Sequence, residues 1–300
     1  MTTLRILAPG LRSTIQDRGR LGHLRHGVPP SGPADALAFE AAQRLVGNDA
    51  SEAAIEIVGL PFRCALDAPR LIAATGPGVR VRTRGTVAGA TSVFARGGEE
   101  IAVEGSARFA YLAVSGGIAA PERLGSRSTY LPARIGPIPR PLAAGDELPI
   151  GPARCGADRA GSTITLRVPD GRIRVTSGPH AGRFRDAAAF LSGTYRVSER
   201  SDRMGTRLEG PRLGAAGGEI LSVGVLAGAV QVPQGGDPIV LLADHQTTGG
   251  YPIVAVVVAA DLGLVAQASP GEALSFYEVR VEDAVRALRE ERRRLDAIAL

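Results

Sequence analysis

Residues Gln231–Pro252 read QVPQGGDPIVLLADHQTTGGYP. In the middle, Ile239–Ala243 (IVLLA) is an unbroken apolar run of strand length with turn formers on both sides, which is the pattern of a buried strand. Its flanks carry Gln231, Gln234, Asp237, Asp244, His245, Gln246, Thr247, Thr248 and Tyr251. Gly249 and Gly250 follow and leave backbone N–H groups open to a ligand. A buried strand that delivers Asp, His, Gln and Thr to a glycine turn is built as the wall of a site.

The pattern around this strand recurs upstream. EILSVG at Glu219–Gly224 leads into IVLLA, as EIVG at Glu56–Gly59 leads into LIAAT, which ends at Thr75. RMGTRLEGP at Arg203–Pro211 echoes RLGHLRHGVP at Arg20–Pro29, and GEALSFYEV at Gly271–Val279 echoes GEE…FAYLAV at Gly98–Val114. Echoes in one order point to an internal duplication; the alternative is chance recurrence of strand-and-turn patterns in a chain rich in glycine and arginine. The expected fold is mainly β with a few helices, as two related, largely antiparallel β-barrels. Residues 1–150 form the first half and residues 162–300 the second, joined through the connector Gly136–Asp146 and Gly151–Gly161.

Strands are expected at Leu4–Leu11, Glu56–Gly59, Arg63–Leu66, Leu71–Thr75, Val79–Arg82, Ser92–Phe94, Ile101–Val103 and Phe109–Val114, with the second series starting at Thr163. Ser13–Pro30 reads as a long polar loop and Ser115–Leu131 as another. Between them, Pro33 suits a first helical turn, Asp35 adds an acid near the N-terminus and Gly47 ends the segment. Leu37, Ala38, Ala41 and Leu45 line one face of that helix. Glu282–Leu300 (EDAVRALREERRRLDAIAL) is a second helix, with Val285, Leu288, Leu295 and Ile298 on its apolar side. Glu282 with Arg286 and Glu290 with Arg294 are i,i+4 pairs in the favourable order. Packing of that apolar side on the second barrel is expected ahead of partner binding.

Composition narrows the chemistry. The 300 residues are 44% hydrophobic and 22% charged, aromatics are 4% and tryptophan is absent, so the core rests on Ala, Val, Leu and Ile. No lysine occurs anywhere. A P-loop, whose lysine contacts phosphates, and a lysine Schiff base with pyridoxal phosphate are therefore excluded, as is biotin carried on this chain. Net charge is +5, but acids and bases alternate, and no basic stripe interleaved with stacking aromatics suggests nucleic acid. Cys64 and Cys155 are far apart, so neither a zinc knuckle nor a disulfide framework is indicated. The opening residues lack an apolar signal segment, and no apolar run approaches the roughly 18 residues that span a membrane. A cytoplasmic protein is the expectation.

The 4 histidines are His23, His26, His180 and His245, and none has metal-ligand spacing; His23 and His26 read as solvated loop residues. Ser115, before Gly116-Gly117, is a conceivable nucleophile, with a turn serine as the plainer role. Asp244 and Gln246 are the foremost candidates: a carboxylate can take a proton, and a carboxamide both donates and accepts, which suits an amide or ureido group. The alternative is that they cap a strand end. Asp202-Arg203 is either an internal salt bridge or an arginine fork for a carboxylate or phosphate. Ser126, Arg127, Ser128 and Thr129 can bind an anion or satisfy their own loop.

The segments STIQDRGRLGHLRHGVPPSGPAD, LVGN, AIEI, YLAVSGGI, LGSRSTY, SDRMGTRLEG, GAVQVPQGGDPIVLLADHQTTGGYP and DL…AQASPGE resemble the C-subunit family of 5-oxoprolinase. That family is also called the biotin-dependent carboxyltransferase or allophanate hydrolase subunit 2 family, and it includes an antagonist of a histidine-kinase inhibitor. The resemblance runs from about Leu4 to Val281 and implies cyclophilin-like β-barrels and a separately encoded partner, the B subunit of 5-oxoprolinase. It implies an ATP-dependent complex of A, B and C subunits that hydrolyses 5-oxoproline to glutamate. The alternatives are a carboxyltransferase component of a urea-carboxylase type system, with biotin on a partner chain, and a non-catalytic antagonist that binds a kinase inhibitor resembling the B subunit. On this reading Asp202, Asp244 and Gln246 are the catalytic candidates. Arg203, Gln231, Thr248, Gly249, Gly250, Tyr251, Ser126 and Arg127 are the substrate-binding candidates, with arginine orienting the substrate and N–H groups near Gly249 and Gly250 stabilising carbonyl charge. No metal, nucleic acid or membrane is expected.

Overall fold

The computed structural model describes residues 2–168, 170–185 and 187–298. The chain divides into two compact units: Met1–Arg20 with Ser31–Arg167 and Arg292–Leu300, and Leu21–Pro30 with Val168–Glu291.

The first unit holds β1 (Thr2–Ala8), β2 (Arg12–Gln16), α1 (Ala36–Leu45), β3 (Ala54–Val58), β4 (Phe62–Leu66), β5 (Arg70–Thr75), β6 (Arg80–Thr83), β7 (Thr86–Ala88), β8 (Ser92–Ala95), β9 (Glu100–Glu104), β10 (Ala110–Val114) and β11 (Glu147–Ile150). They form a six-stranded sheet in the order β11-β1-β4-β9-β6-β7 and a five-stranded sheet in the order β2-β3-β10-β5-β8. Alternate residues of both sheets, such as Leu4, Ile6, Cys64, Ile101 and Val103 from one and Ile15, Ile55, Ile57, Ile72 and Leu112 from the other, share one buried cluster. The period of two that marks a strand is thus what fills the core. Burying each such Leu, Ile or Val contributes about 1.5–3 kcal/mol.

Helix α1 begins one residue after Asp35, which is extended and caps it, its Oδ1 accepting from the Ala38 backbone N–H at 3.1 Å. Phe39 meets Tyr111 edge-on at 5.9 Å between ring centroids. Gly47, the residue after the C-cap, has φ +68, and a β-carbon there would stand 2.1 Å from the Cys155 sulfur. Both backbone and space therefore demand glycine.

The expected loop Ser13–Pro30 is corrected at its start, since Arg12–Gln16 is β2 and pairs with β3 along its length. Ser13, Thr14 and Gln16 are polar but buried; Ser13 Oγ donates to the Pro9 carbonyl at 2.5 Å, and Gln16 Nε2 donates to Thr14 Oγ1 at 2.9 Å and to the distant Thr129 carbonyl at 3.1 Å. Their polarity disguises the strand.

The second unit holds β12 (Arg172–Ser177), α2 (Ala187–Ser192), β13 (Thr194–Val197), β14 (Gly205–Glu209), β15 (Val223–Gly224), β16 (Ala229–Gln231), β17 (Ile239–Leu241), β18 (Thr248–Gly249), β19 (Ile253–Val257), α3 (Ala259–Gln267), β20 (Ala273–Glu278) and the start of α4 (Val281–Asp296). Seven strands close a barrel, β12-β19-β16-β17-β14-β13-β20. Its closing pair, β12 with β20, is parallel; the remaining pairs are antiparallel. The expected mainly-β architecture is borne out, with the closed barrel in this unit and two sheets in the first. β15 and β18 form a separate ribbon. The first half of α4 packs Ala284, Ala287 and Leu288 against Val258 and Ala260. Val285, expected on the apolar side, is instead exposed, and Arg286 pairs with Asp283 rather than Glu282. The expected helix end at Ala299 and Leu300 lies outside the described residues. Among the described residues no helix is long and apolar enough to cross a membrane.

Candidate functional site

Strand β17 ends at Leu241, inside the apolar run, and the chain then turns along the Arg203 segment. The Leu242 and Asp244 N–H groups donate to the carbonyls of Met204 and Arg203 at 3.0 and 2.9 Å. The side chains repeat the link. Arg203 Nε donates to Asp244 Oδ2 at 2.8 Å and its Nη2 to Oδ1 at 3.1 Å, with 5% and 3% of the residues exposed. This is a buried, two-pronged pair, so Arg203 faces Asp244 and both carboxylate oxygens are engaged. Asp202, next in the chain, is exposed. Its Oδ1 accepts from the N–H groups of Met204 and Gly205 at 2.8 and 3.3 Å, an Asx turn that shapes the loop.

His245 is buried beside this pair. Its Nδ1 lies 2.6 Å from the Gln246 carbonyl, which can only accept, so Nδ1 carries the proton and donates. Burial holds the imidazole below its ordinary pKa, outweighing the Gln246 carbonyl and the Asp244 charge that pull it up. The ring is therefore neutral at neutral pH. His180 has the opposite tautomer: its Nδ1 accepts from the Ile253 N–H at 3.2 Å.

Gln231, at the end of β16, sits on the outer wall of the barrel, 1% exposed. Gln246 Nε2 donates to Gln231 Oε1 at 2.9 Å, which fixes the direction of the Gln231 carboxamide. The opposite end, Gln231 Nε2, is buried with no hydrogen-bond partner. A buried donor left unmade costs about 1–3 kcal/mol. Over it lies the β15–β18 ribbon, with Val223 opposite Gly249 and Gly224 opposite Thr248, extended by Val225 N–H to the Thr247 carbonyl and Ile220 N–H to the Gly250 carbonyl. Val225, Ala229, Leu241 and Ile253, with Val223, Ile239 and Val256, form the apolar cluster of ribbon and wall. Thr248 is exposed. Tyr251, 36% exposed, lines a small cleft of about 150 Å³ with Glu219, Val232, Gln234 and Pro252.

Ser126 and Arg127 belong to the first unit, and there their groups are engaged. Ser126 Oγ and Ser128 Oγ donate to Asp17 Oδ1 at 2.6 and 2.7 Å, and the Arg127 N–H donates to Asp17 Oδ2 at 2.5 Å. The Arg127 guanidinium donates to the Ala120 carbonyl at 2.8 Å and pairs with Glu122 at 3.0 Å. Asp17 is thus the centre of a self-satisfied loop. Ser115 is fully buried, and its Oγ accepts from the N–H groups of Arg154 and Cys155, both at 3.0 Å, which is the turn role. Among the described residues no group of three or more His, Cys, Asp or Glu could hold a metal ion.

Gln231, Gln246 and Gly249 are therefore brought together, as are Arg203 and Asp244, while Asp202, Thr248 and Tyr251 stand at the surface. The sequence marks His245 as part of the wall without a catalytic or binding role, and His180 enters no expected site. The signal for His245 was its place between Asp244 and Gln246; for His180 the sequence holds none, because its partner is the backbone of Ile253 on β19, the strand paired beside β12 and distant in sequence.

A family model described as carboxyltransferase domain, subdomain A and B, matches residues 26–278. The chain is 36% identical over 303 residues to the C subunit of 5-oxoprolinase from Escherichia coli (strain K12), covering 99% of this chain and 97% of that protein. It is 34% identical to the corresponding C subunit of 5-oxoprolinase from Haemophilus influenzae, covering 96% and 94%. Among solved structures, the K. lactis urea amidolyase superposes with a TM-score of 0.89 at 29% identity, covering 99% of this chain and 20% of that one.

Proposed function

Because the chain belongs to the carboxyltransferase domain family, we propose that it acts as the C subunit of an ATP-dependent 5-oxoprolinase, hydrolysing 5-oxoproline to glutamate together with A and B subunits. The observation that carries this reading is the end-to-end correspondence with two proteins named as the C subunit of 5-oxoprolinase, 97% and 94% of whose lengths it covers.

The chemistry of the wall supports an amide ligand. Gln246, half-buried and braced by Gln231 behind it, offers a carboxamide, which complements the carbonyl and N–H of a lactam. Asp202 is the catalytic candidate with a carboxylate oxygen outside the hydrogen bonds of its turn, and it is assigned to the lactam proton. Asp244, held by Arg203, is assigned to positioning the wall, with Gly249 and Gly250 allowing close approach and Thr248 and Tyr251 forming the rim. Ser126 and Arg127 remain anchors of their own loop. ATP supplies the driving force for ring opening. With no lysine in the chain, any P-loop lysine belongs to another subunit.

The structural likeness to the K. lactis urea amidolyase favours a second reading, a carboxyltransferase component working with biotin borne on a partner chain. One experiment separates the two. The A and B subunits are co-purified with this chain, and ATP-dependent glutamate release from 5-oxoproline is measured. Release that requires all three components is expected; a fully assembled complex that releases none, or that transfers carboxyl from carboxybiotin to urea instead, overturns the first reading.

A further inference from the structure

We propose that the cleft beside Tyr251 binds a small ring carrying a protonated amine, with the Glu219 carboxylate as its counter-charge. The proposal stands beside the 5-oxoprolinase reading and does not rest on it. The cleft measures about 150 Å³, a size at which a cavity accepts a ring as large as benzene. Three segments of the second unit line it: the turn that ends at Glu219, the residues that follow β16, and the pair Tyr251-Pro252 before β19. Leu213, Val232 and Pro252 are buried and supply an apolar floor. Backbone bonds hold these segments: Leu213 N–H donates to the Gly236 carbonyl at 3.0 Å, Val232 N–H to the Pro252 carbonyl at 2.9 Å and Ile220 N–H to the Gly250 carbonyl at 2.8 Å. The cleft is therefore preformed, which spares a ligand the cost of ordering it.

Glu219, Gln234 and Tyr251 are its exposed polar groups. Among the described residues none of these three side chains has a hydrogen-bond or ion-pair partner, so each is open to a ligand. An apolar floor with a few uncommitted polar groups around it is the general form of a small-molecule site. Charge then decides the class. Among the described residues no arginine or histidine lines the cleft. Two arginines of adjoining segments are engaged elsewhere: Arg183 donates to the Ala216 carbonyl at 2.8 Å, and Arg212 faces Asp237 at 3.7 Å. A chain of net charge +5 thus presents an unpaired carboxylate here. An ammonium beside Glu219 makes a charge-assisted hydrogen bond, Gln234 offers a carbonyl oxygen to a second amine hydrogen, and the Tyr251 ring attracts the same cation. A carboxylate or phosphate is repelled by Glu219 and finds no cation in the lining.

The test follows piperidine, protonated at neutral pH, by ligand-observed NMR on the full chain. The comparisons are tetrahydropyran, the same ring with an ether oxygen in place of the ammonium, and cyclopentanecarboxylate, an anion. Piperidine is expected to bind about 5-fold more tightly than tetrahydropyran, as a partly exposed ion pair gives, and cyclopentanecarboxylate more weakly still. Glu219→Gln is expected to abolish the preference for piperidine, and Tyr251→Leu to weaken piperidine binding about 3-fold. Both variants should keep the wild-type melting midpoint, since both side chains are exposed. A wild-type chain that binds no piperidine, or that binds tetrahydropyran or cyclopentanecarboxylate as tightly, overturns the proposal. So does a preference for piperidine that survives in Glu219→Gln, because the amine is then held elsewhere.

Discussion

Arg203 and Asp244 show how far one pair of side chains can settle the character of a wall. A bidentate ion pair in a site this dry is attractive only while both partners are present. Arg203→Met and Asp244→Ala are each expected to lower unfolding stability by about 3–5 kcal/mol, read from denaturant midpoints. Arg203→Lys recovers little of this, because an ammonium cannot engage both oxygens in parallel. Asp244→Asn is the sharper probe of chemistry: in the assembled complex it should impair folding more than the rate per folded molecule. His245 makes a separate prediction. Its folded pKa lies below the ordinary 6.5, so the unfolded chain takes up the proton first as pH falls. The stability that His245 contributes is therefore complete above about pH 6.5 and is lost as pH drops from there through the folded value. Melting midpoints from about pH 8 to about pH 5 should fall less steeply for His245→Gln than for the wild type. Burial, not residue type, produces both effects.

At the scale of the element, helix α1 shows local rules agreeing with tertiary packing. Asp35, Gly47 and the apolar face were all readable from the sequence, because capping and the 3.6-residue period act within a few positions. Asp35→Ala should cost about 0.5–2 kcal/mol, measured by chemical denaturation. Gly47→Ala should cost more than a left-handed alanine alone, since its methyl group also meets Cys155. Other elements resisted the same reading. β2 carries Ser13, Thr14 and Gln16 in a buried strand, so hydropathy pointed to a loop. The EIVG and EILSVG echoes also lie in different surroundings: Glu56 is buried on β3 and Glu219 is exposed before the ribbon. Only Val223 and Gly224 of the second echo are strand. Short strands take their boundaries from neighbours that supply the ladder.

Across the whole molecule, one group reports on the integrity of the first unit. Cys64 is fully buried in its core, and burial pushes the thiol far above its ordinary pKa, so the reactive thiolate is suppressed. Alkylation of Cys64 should therefore proceed only as fast as that unit opens, and its rate, followed by mass spectrometry against denaturant, should track the unfolding of the unit rather than local fraying. By itself the sequence determined the classes of chemistry open to the chain, through its lack of lysine, and the mainly-β architecture, through strand-length apolar runs between turns. It also marked Gln231–Pro252 as a wall rich in hydrogen-bonding groups. The tertiary structure alone decided which of those groups are engaged and which are open. Arg203 and Asp244 were both plausible ligands of a substrate until the pairing of β14 with β17 set them face to face across 41 residues of chain. Gln231 Nε2 was sealed off only when the ribbon laid Gly249 over the wall. Local patterns encode whether a residue is buried, because hydropathy and period act along the chain. The partner of a buried polar group depends on which distant strands meet and in what register, and no spacing in the sequence carries that.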